Sequence, residues 1–463
     1  MRTLVRTNLR FFILGAVAAI LLRLLFIVRF PGVVNDSFVY GDIAKNWLQH
    51  GIYGLSGPEE ISPTYIRLPG YPAFLAFIFA LFGLEHYRAV LVAQLLVDLA
   101  TCLLTADLAR RLLGARQAKA AFLLTALCPF LADYSAAALT ETLEIFFTVL
   151  ALDCAVAGLE SFKTSSWAGC GAACAAAILL RPDGAMLPFV ILVYLTSKLL
   201  LPKQALPLSA TRRQVLCAAL WIVALSVLPL IPWTLRNWHV FHRLEPLAPR
   251  YANEEGEFVP KGFNRWVKTW MADYTSVEDI YWPVPGSPVD ASRLPARAFD
   301  SLEQQAVTLE LVDDYNNVLH ISPELDRRFE ALASERIHSH RLRYCIALPL
   351  VRVLDMWLRP RTEMLPSDSR WWEFNDEARW SALAIGFGAI NGFYIVCALV
   401  GWIRERPLRW SGLLILFVVL RSMFLGTLEN PEPRYTLEMY PVIIVFAAAS
   451  LVRRREGSVE STS

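Results

Sequence analysis

The stretch "RFFILGAVAAILLRLLFIVRFPGVVNDSFVYGDIAKNWLQHG", Arg10 to Gly51, joins two kinds of chain. Phe11 to Val28 is apolar over the length a helix needs to cross a bilayer. Beyond Pro31 the sequence turns polar, with Asp36, Asp42 and Lys45 set among a helical spacing of Tyr40, Ile43 and Trp47 that closes at Gly51. The basic start "MRTLVRTNLR" and the lack of a small-residue cleavage site make the first run a retained signal anchor. The carboxylates of 36 and 42 therefore stand where the chain has just left the lipid.

The rest of the 463 residues extends that reading. The chain is 55% hydrophobic and only 19% charged, and its mean hydropathy is +0.41. This is the composition of an integral membrane protein. The net charge of +2 is small. Its basic residues come in short clusters between apolar runs, which excludes a nucleic-acid partner. The eight cysteines show neither a disulfide framework nor a metal-ligand spacing.

Ten helix-length runs, counting the first, meet the usual length criterion. They lie near Phe11–Val28, Ala89–Leu108, Ala118–Ala132, Thr142–Leu159, Trp167–Leu180, Ala185–Leu201, Val215–Pro232, Ala382–Ile403, Ser411–Leu425 and Thr436–Val452. With a cytoplasmic N-terminus, "ARRLLGARQAK", the basic 198–214 link, "RERPLR" and the terminal "VRRREG" all fall inside, as the positive-inside rule requires. Two shorter or charged runs, Tyr71–Gly83 and Arg341–Pro360, then read as interfacial or re-entrant. The second carries Leu342, Ile346, Leu350, Val353 and Trp357 on one helical face with arginines opposite. The expected organisation is a transmembrane region over 1–236 with its first outer loop at 30–87, an extracytoplasmic segment over 237–377 with an interfacial helix near 341–358, and C-terminal transmembrane helices over 378–463.

That topology collects the unusual polar residues on the outer face. Asp36 opens a helix, so it reads either as an N-cap, like Asn35, or as a base at the membrane surface. Asp42 pairs with Lys45. Arg67, Arg181, Arg236 and Arg434 recur at the same face, each a snorkelling anchor taken alone, together a set of guanidinium groups at headgroup depth that suits phosphate. Glu141 and Glu144 open a span, where the helix dipole favours them, and ionisable groups there are also functional candidates. "HSH" at 338–340 has no third ligand in view, and no DxD, Walker loop, HExxH or GxSxG occurs.

In order, "NDSFVYGDIAKNWLQHGIYG", "RLPGYPAFLAFIFALFG", "LTETLEIFF", "ILLRPDGAMLPFVIL", "IPWTLRNWHVF" and "PRYTLEMYPVIIVFAA" resemble the GT-C class of membrane glycosyltransferases. The likeness is to the bacterial branch related to protein O-mannosyltransferases and lipid A aminoarabinose transferase. It implies an all-α polytopic membrane protein, a GT-C-like transmembrane helix bundle with amphipathic juxtamembrane helices and an extracytoplasmic loop domain. It further implies a polyprenyl-phosphate sugar donor, a protein, lipid or glycan acceptor, inversion at the anomeric carbon, and a site on the periplasmic face of a bacterial inner membrane.

On that resemblance Asp36 is the general base, where the family more often has Asp-Glu than Asp-Ser, and Glu141 is the second acidic residue. Arg67 and Arg434 lead the phosphate ligands, with Arg181, Arg236 and Tyr435 completing the substrate-binding set. A monophosphate leaving group carries less charge than a diphosphate, so the expectation is catalysis by arginines with no metal and no cofactor. The rival readings are a flippase or transporter of lipid-linked sugars, which calls for polar residues along a crossing path, and a non-catalytic membrane assembly partner.

Overall fold

A computed structural model of the chain describes residues 1–200, 211–254, 256–375, 377–406 and 408–452. The basic residues expected on the cytoplasmic side after Leu200 lie partly, and those after Val452 wholly, outside this set. The chain forms two compact units. The first comprises Met1–Glu254, Phe393–Val418 and Leu437–Ser463, the second Glu255–Gly392 and Val419–Thr436. It is a helical, multi-pass membrane protein.

In the first unit, α1 (Arg2–Thr7) leads into α2 (Leu9–Arg29), which leaves Leu14, Leu21 and Val28 more than 60% exposed. Such an uncovered apolar surface is what a helix in lipid presents. Then come the polar α3 (Asn35–His50), the short α4 (Gly70–Phe82) and the long α5 (Tyr87–Leu112). Between α3 and α4 a two-stranded hairpin, β1 (Gly54–Ser56) with β2 (Ile61–Pro63), folds back onto α3. Asp42 accepts from the backbone and hydroxyl of Ser56 at 2.7 and 2.8 Å, and it also pairs with Lys45 as expected.

Next follow α6 (Ala115–Ala126), α7 (Pro129–Ser135), α8 (Glu141–Ser161), α9 (Thr164–Leu180), α10 (Met186–Leu200), α11 (Arg212–Val227) and α12 (Leu230–Phe241). Among the described residues six stretches are long and apolar enough to cross a membrane: Leu9–Arg29, Tyr87–Leu112, Glu141–Ser161, Pro182–Leu200, Arg212–Phe241 and Ala378–Arg404. Shorter apolar helices cover Gly70–Phe82, Thr164–Leu180 and Ser411–Gly426.

Two expected spans differ. Ala118–Ala132 is not one helix: the chain breaks at Leu127–Cys128, and Pro129, which cannot continue a ladder, starts α7. The last run begins as a 3-10 turn, Pro433–Met439, and becomes α-helical only in α20 (Tyr440–Leu451).

A buried ion pair ties the front of this unit together. Arg23 on α2 donates through Nε to Asp98 on α5 at 2.7 Å, and both side chains are sealed from solvent. The rest of the guanidinium donates to the carbonyls of Thr125, at 3.1 Å, and Ala126. The C-terminal end of α6 thus satisfies what Asp98 leaves over.

The second unit has its own core, built on Trp266, Trp270, Tyr274, Leu311, Tyr315 and Phe329. Its helices are α13 (Lys261–Lys268), α14 (Tyr274–Ser276), α15 (Leu302–Val318), α16 (Pro323–Ser339) and α17 (Leu348–Leu358). Two further helices, α18 (Ala378–Arg404) and α19 (Ser411–Gly426), contribute residues to both units. On the amphipathic 341–358 run the apolar side is exposed at Leu342, Ile346 and Leu350, as expected. The arginine side corrects the sequence reading: Arg352 is fully buried and donates to the carbonyls of Met271 at 2.8 Å and Gly426 at 3.1 Å.

Breaking the Arg23–Asp98 pair from one side leaves a buried charge alone, which costs about 3–5 kcal/mol. Asp98→Ala is therefore expected to lower the melting temperature of the detergent-solubilised protein sharply, while Arg23→Met with Asp98→Leu recovers most of the loss. A single variant melting like the parent contradicts the pairing.

Candidate active site

Helix α3 begins without help from Asn35 or Asp36. Ser37 turns its hydroxyl back to accept from the Val34 amide at 3.0 Å, and Gly51 closes the helix at φ +70°. The capping reading of Asp36 is therefore corrected: its carboxylate faces outward, 40% exposed, and accepts from Arg67 Nη2 at 3.0 Å. Arg67 lies over the ring of Tyr40, 5.5 Å from its centroid, and its backbone carbonyl accepts from the Tyr53 hydroxyl at 2.9 Å. Its Nε is buried and has no hydrogen-bond partner among the described residues.

The loops that precede α8 and follow α9 come to the same place for identifiable reasons. Gly32, just ahead of α3, donates to the Ala136 carbonyl and accepts from the Ala138 amide, both at 2.8 Å, a parallel bridge between loops. Gln94 donates to the Ala137 carbonyl at 2.6 Å and accepts from Tyr71, whose ring meets Tyr40 edge-on at 5.0 Å. The bridged turn runs straight into Glu141, the first residue of α8. At the third loop, Gly70 packs so closely that a Cβ there would stand 2.6 Å from the Leu179 carbonyl. The loop of Arg67 thus rests on the end of α9, two residues before Arg181.

Arg181 is surrounded by carboxylates: Asp183 at 3.2 Å, Glu144 at 3.7 Å and Glu141 at 3.8 Å. Glu141 and Glu144 are buried. Tyr40 stands between the two ion-pair groups. Burial pushes its phenol up to about 12, and the charges of Arg67, Asp36, Arg181 and Glu141 all act on it. Four of the expected residues, Asp36, Arg67, Glu141 and Arg181, therefore lie close enough to act on one side chain.

Glu144, Asp183 and Glu438 offer carboxylate oxygens within 4.8 Å of one another, a donor set of the hard type that divalent cations prefer. Arg181 already supplies positive charge at two of them. The sequence reading named none of the three as a site residue except Glu144; the Arg-Pro-Asp spacing of 181–183 was the available signal, and Glu438 gave none.

Arg236 is held differently. Its two Nη atoms donate to the carbonyls of Thr64 and Tyr53, each at 2.7 Å, and Tyr53, Trp233 and Phe241 enclose it. This arginine pins the hairpin to α12. Beside it opens a cavity of about 510 Å³ lined by Trp47, Tyr53, Pro69, Leu179, Pro232 and Trp233.

Arg434 and Tyr435 belong to the second unit. Arg434 pairs with buried Glu432 at 2.6 Å, and the Tyr435 hydroxyl donates to the same carboxylate at 2.7 Å. Burial pushes Glu363 up to about 7 against the pull of Arg361, Arg359 and Arg434.

Residues 63–233 match the family described as dolichyl-phosphate-mannose-protein mannosyltransferase. A search of curated proteins found no match. Among solved structures, the archaeal oligosaccharyltransferase AglB of Archaeoglobus fulgidus, in complex with an inhibitory peptide and a dolichol-phosphate, superposes with a TM-score of 0.53 at 14% identity, over 96% of this chain and 50% of its own. The apo form of the Archaeoglobus fulgidus oligosaccharyltransferase gives 0.52 at 16% identity, over 96% and 50%. ArnT of Cupriavidus metallidurans bound to undecaprenyl phosphate gives 0.37 at 15% identity, over 95% and 76%. The chain thus spans about half the length of the archaeal enzyme, and the likeness at this identity is one of fold.

A methyl at position 70 must push the Arg67 loop off α9. Gly70→Ala is expected to leave the protein folded and to reduce its activity by about 100-fold, the scale of a 1 Å misplacement. Activity within twofold of the parent would show that the contact does not position Arg67.

Proposed function

We propose that this chain, which has the fold of the GT-C membrane glycosyltransferases and the mannosyltransferase-family pattern over residues 63–233, moves one sugar from a polyprenyl-phosphate donor to an acceptor at the periplasmic face of a bacterial inner membrane. The observation that carries the reading is the Asp36–Arg67 pair, set at the exit of the first span beside the buried Glu141 and Arg181.

The chemistry needs a base and a seat for the departing anion. A sugar or protein hydroxyl is a weak nucleophile at neutral pH, so its proton must leave as the new bond forms. Asp36 is assigned that proton. The acceptor oxygen attacks the anomeric carbon, the bond to the phosphate oxygen breaks with its electron pair, and polyprenyl phosphate departs; a single displacement inverts the centre. Arg67 holds the phosphate and stabilises the charge it gains.

Pairing of these two residues before substrate arrives then makes sense. A phosphate on Arg67 takes over guanidinium donors and releases the Asp36 carboxylate to accept from the nucleophile. Glu141, steadied by Arg181, orients the acceptor. Arg434 and Tyr435 are assigned to substrate binding in the second unit, and Arg236 is assigned to holding the hairpin.

The apolar cavity beside Pro69 and Trp233 supports a lipid carrier: its lining is aromatic and proline-rich, as an isoprenoid chain requires. The archaeal oligosaccharyltransferase of like fold was solved with a dolichol-phosphate, a ligand of the same class.

Melting curves of the purified protein with a panel of polyprenyl-phosphate sugars identify the donor, since a bound ligand raises the melting temperature. With that donor, Asp36→Asn is expected to cut turnover by at least about 100-fold, the usual contribution of a general base, while the donor still raises the melting temperature. Near-parental turnover in the variant removes Asp36 from the mechanism.

A further inference from the structure

Tyr40 enters the sequence reading only as an apolar position on α3, and packing against Tyr71 accounts for its ring. Packing does not account for its hydroxyl. The residue is about nine-tenths buried, but its oxygen is not among the sealed polar atoms, and among the described residues it makes no hydrogen bond, while neighbouring tyrosines do: Tyr71 reaches Gln94, Tyr53 reaches the Arg67 carbonyl and Tyr87 reaches the Ser37 carbonyl. A hydroxyl that stays accessible at the end of a buried ring and has no protein partner is a donor open to a ligand.

A second unmet donor belongs to the residue packed on that ring. Among the described residues Arg67 Nε is buried without a partner, and its guanidinium lies over the Tyr40 ring. An unused O–H and an unused N–H therefore belong to two residues in contact, Tyr40 lying one turn along α3 from Asp36. Unused donors in a partly enclosed, cation-bearing wall describe a seat for an anionic oxygen.

We propose that Tyr40 donates a hydrogen bond, together with Arg67, to a phosphate oxygen of the lipid-linked donor. This rests on the reading of the site given above and names a residue that reading lacked. The phenol suits the task because it remains protonated at neutral pH, so it offers a proton without carrying charge. As the sugar–phosphate bond breaks, the oxygen gains charge and the hydrogen bond strengthens.

The test uses the full-length protein in detergent micelles with two probes, undecaprenyl phosphate and the uncharged alcohol undecaprenol. Tyr40→Phe keeps the ring and breaks no hydrogen bond, so its melting temperature without ligand should match the parent. Its affinity for undecaprenyl phosphate is expected to fall about tenfold or more, as for one hydrogen bond to a charged group, with undecaprenol binding unchanged. If the parent prefers the phosphate over the alcohol and Tyr40→Phe retains that preference in full, the role of Tyr40 is overturned while the donor reading stands. If the parent itself does not distinguish the two lipids, the donor reading falls and takes this inference with it.

Discussion

The site depends on a pair of hydrogen bonds between two loops. Gly32 and the 136–138 turn exchange N–H and C=O partners at 2.8 Å. Gln94 donates to the Ala137 carbonyl of the turn from the side. Backbone groups in a loop must find partners wherever water is excluded, and here they find one another. As a result the residues that follow each loop, Asp36 on one helix and Glu141 on the next, start from a common point. Without the bridge the two carboxylates would be ends of separate helices with no fixed relation.

Charge placement follows from the same constraint. Asp36 and Arg67 form one partly exposed pair, and Arg181 is shared by Asp183, Glu144 and Glu141. The first pair is balanced and open, which suits a group that must exchange partners when an anion arrives. The second is richer in carboxylate and buried, which suits positioning. Tyr40, acted on by both, joins them through its ring contact with Tyr71 and the polar link to Gln94.

Much of this was legible from residues. Apolar run length located the long helices, and the end of α3 at Gly51 and the opening of α8 at Glu141 were read where they occur. The parity of basic loops put Asp36, Arg67, Glu141 and Arg181 on one face, and the first unit brings those four together. Other features left no local trace. Hydropathy cannot see the break at Leu127–Cys128, because both sides of it are apolar. Arg236 was read as a phosphate ligand and Arg352 as part of the polar side of an interfacial helix, yet both serve backbone carbonyls, and only the fold reveals where unsatisfied carbonyls lie. The partner of Asp98 is 75 residues away at Arg23. Asp36 resembled a cap because its position is a helix start; Ser37 takes that role by turning its hydroxyl back on the chain.

The claim beneath all of this is that a lipid phosphate binds at Arg67, across from Asp36. A cryo-EM structure of the protein saturated with undecaprenyl phosphate tests it most directly. The account predicts phosphate density in contact with the Arg67 guanidinium, the Asp36–Arg67 contact loosened, and the isoprenoid chain entering the cavity beside Trp233. Phosphate density elsewhere, with that ion pair unchanged, contradicts it.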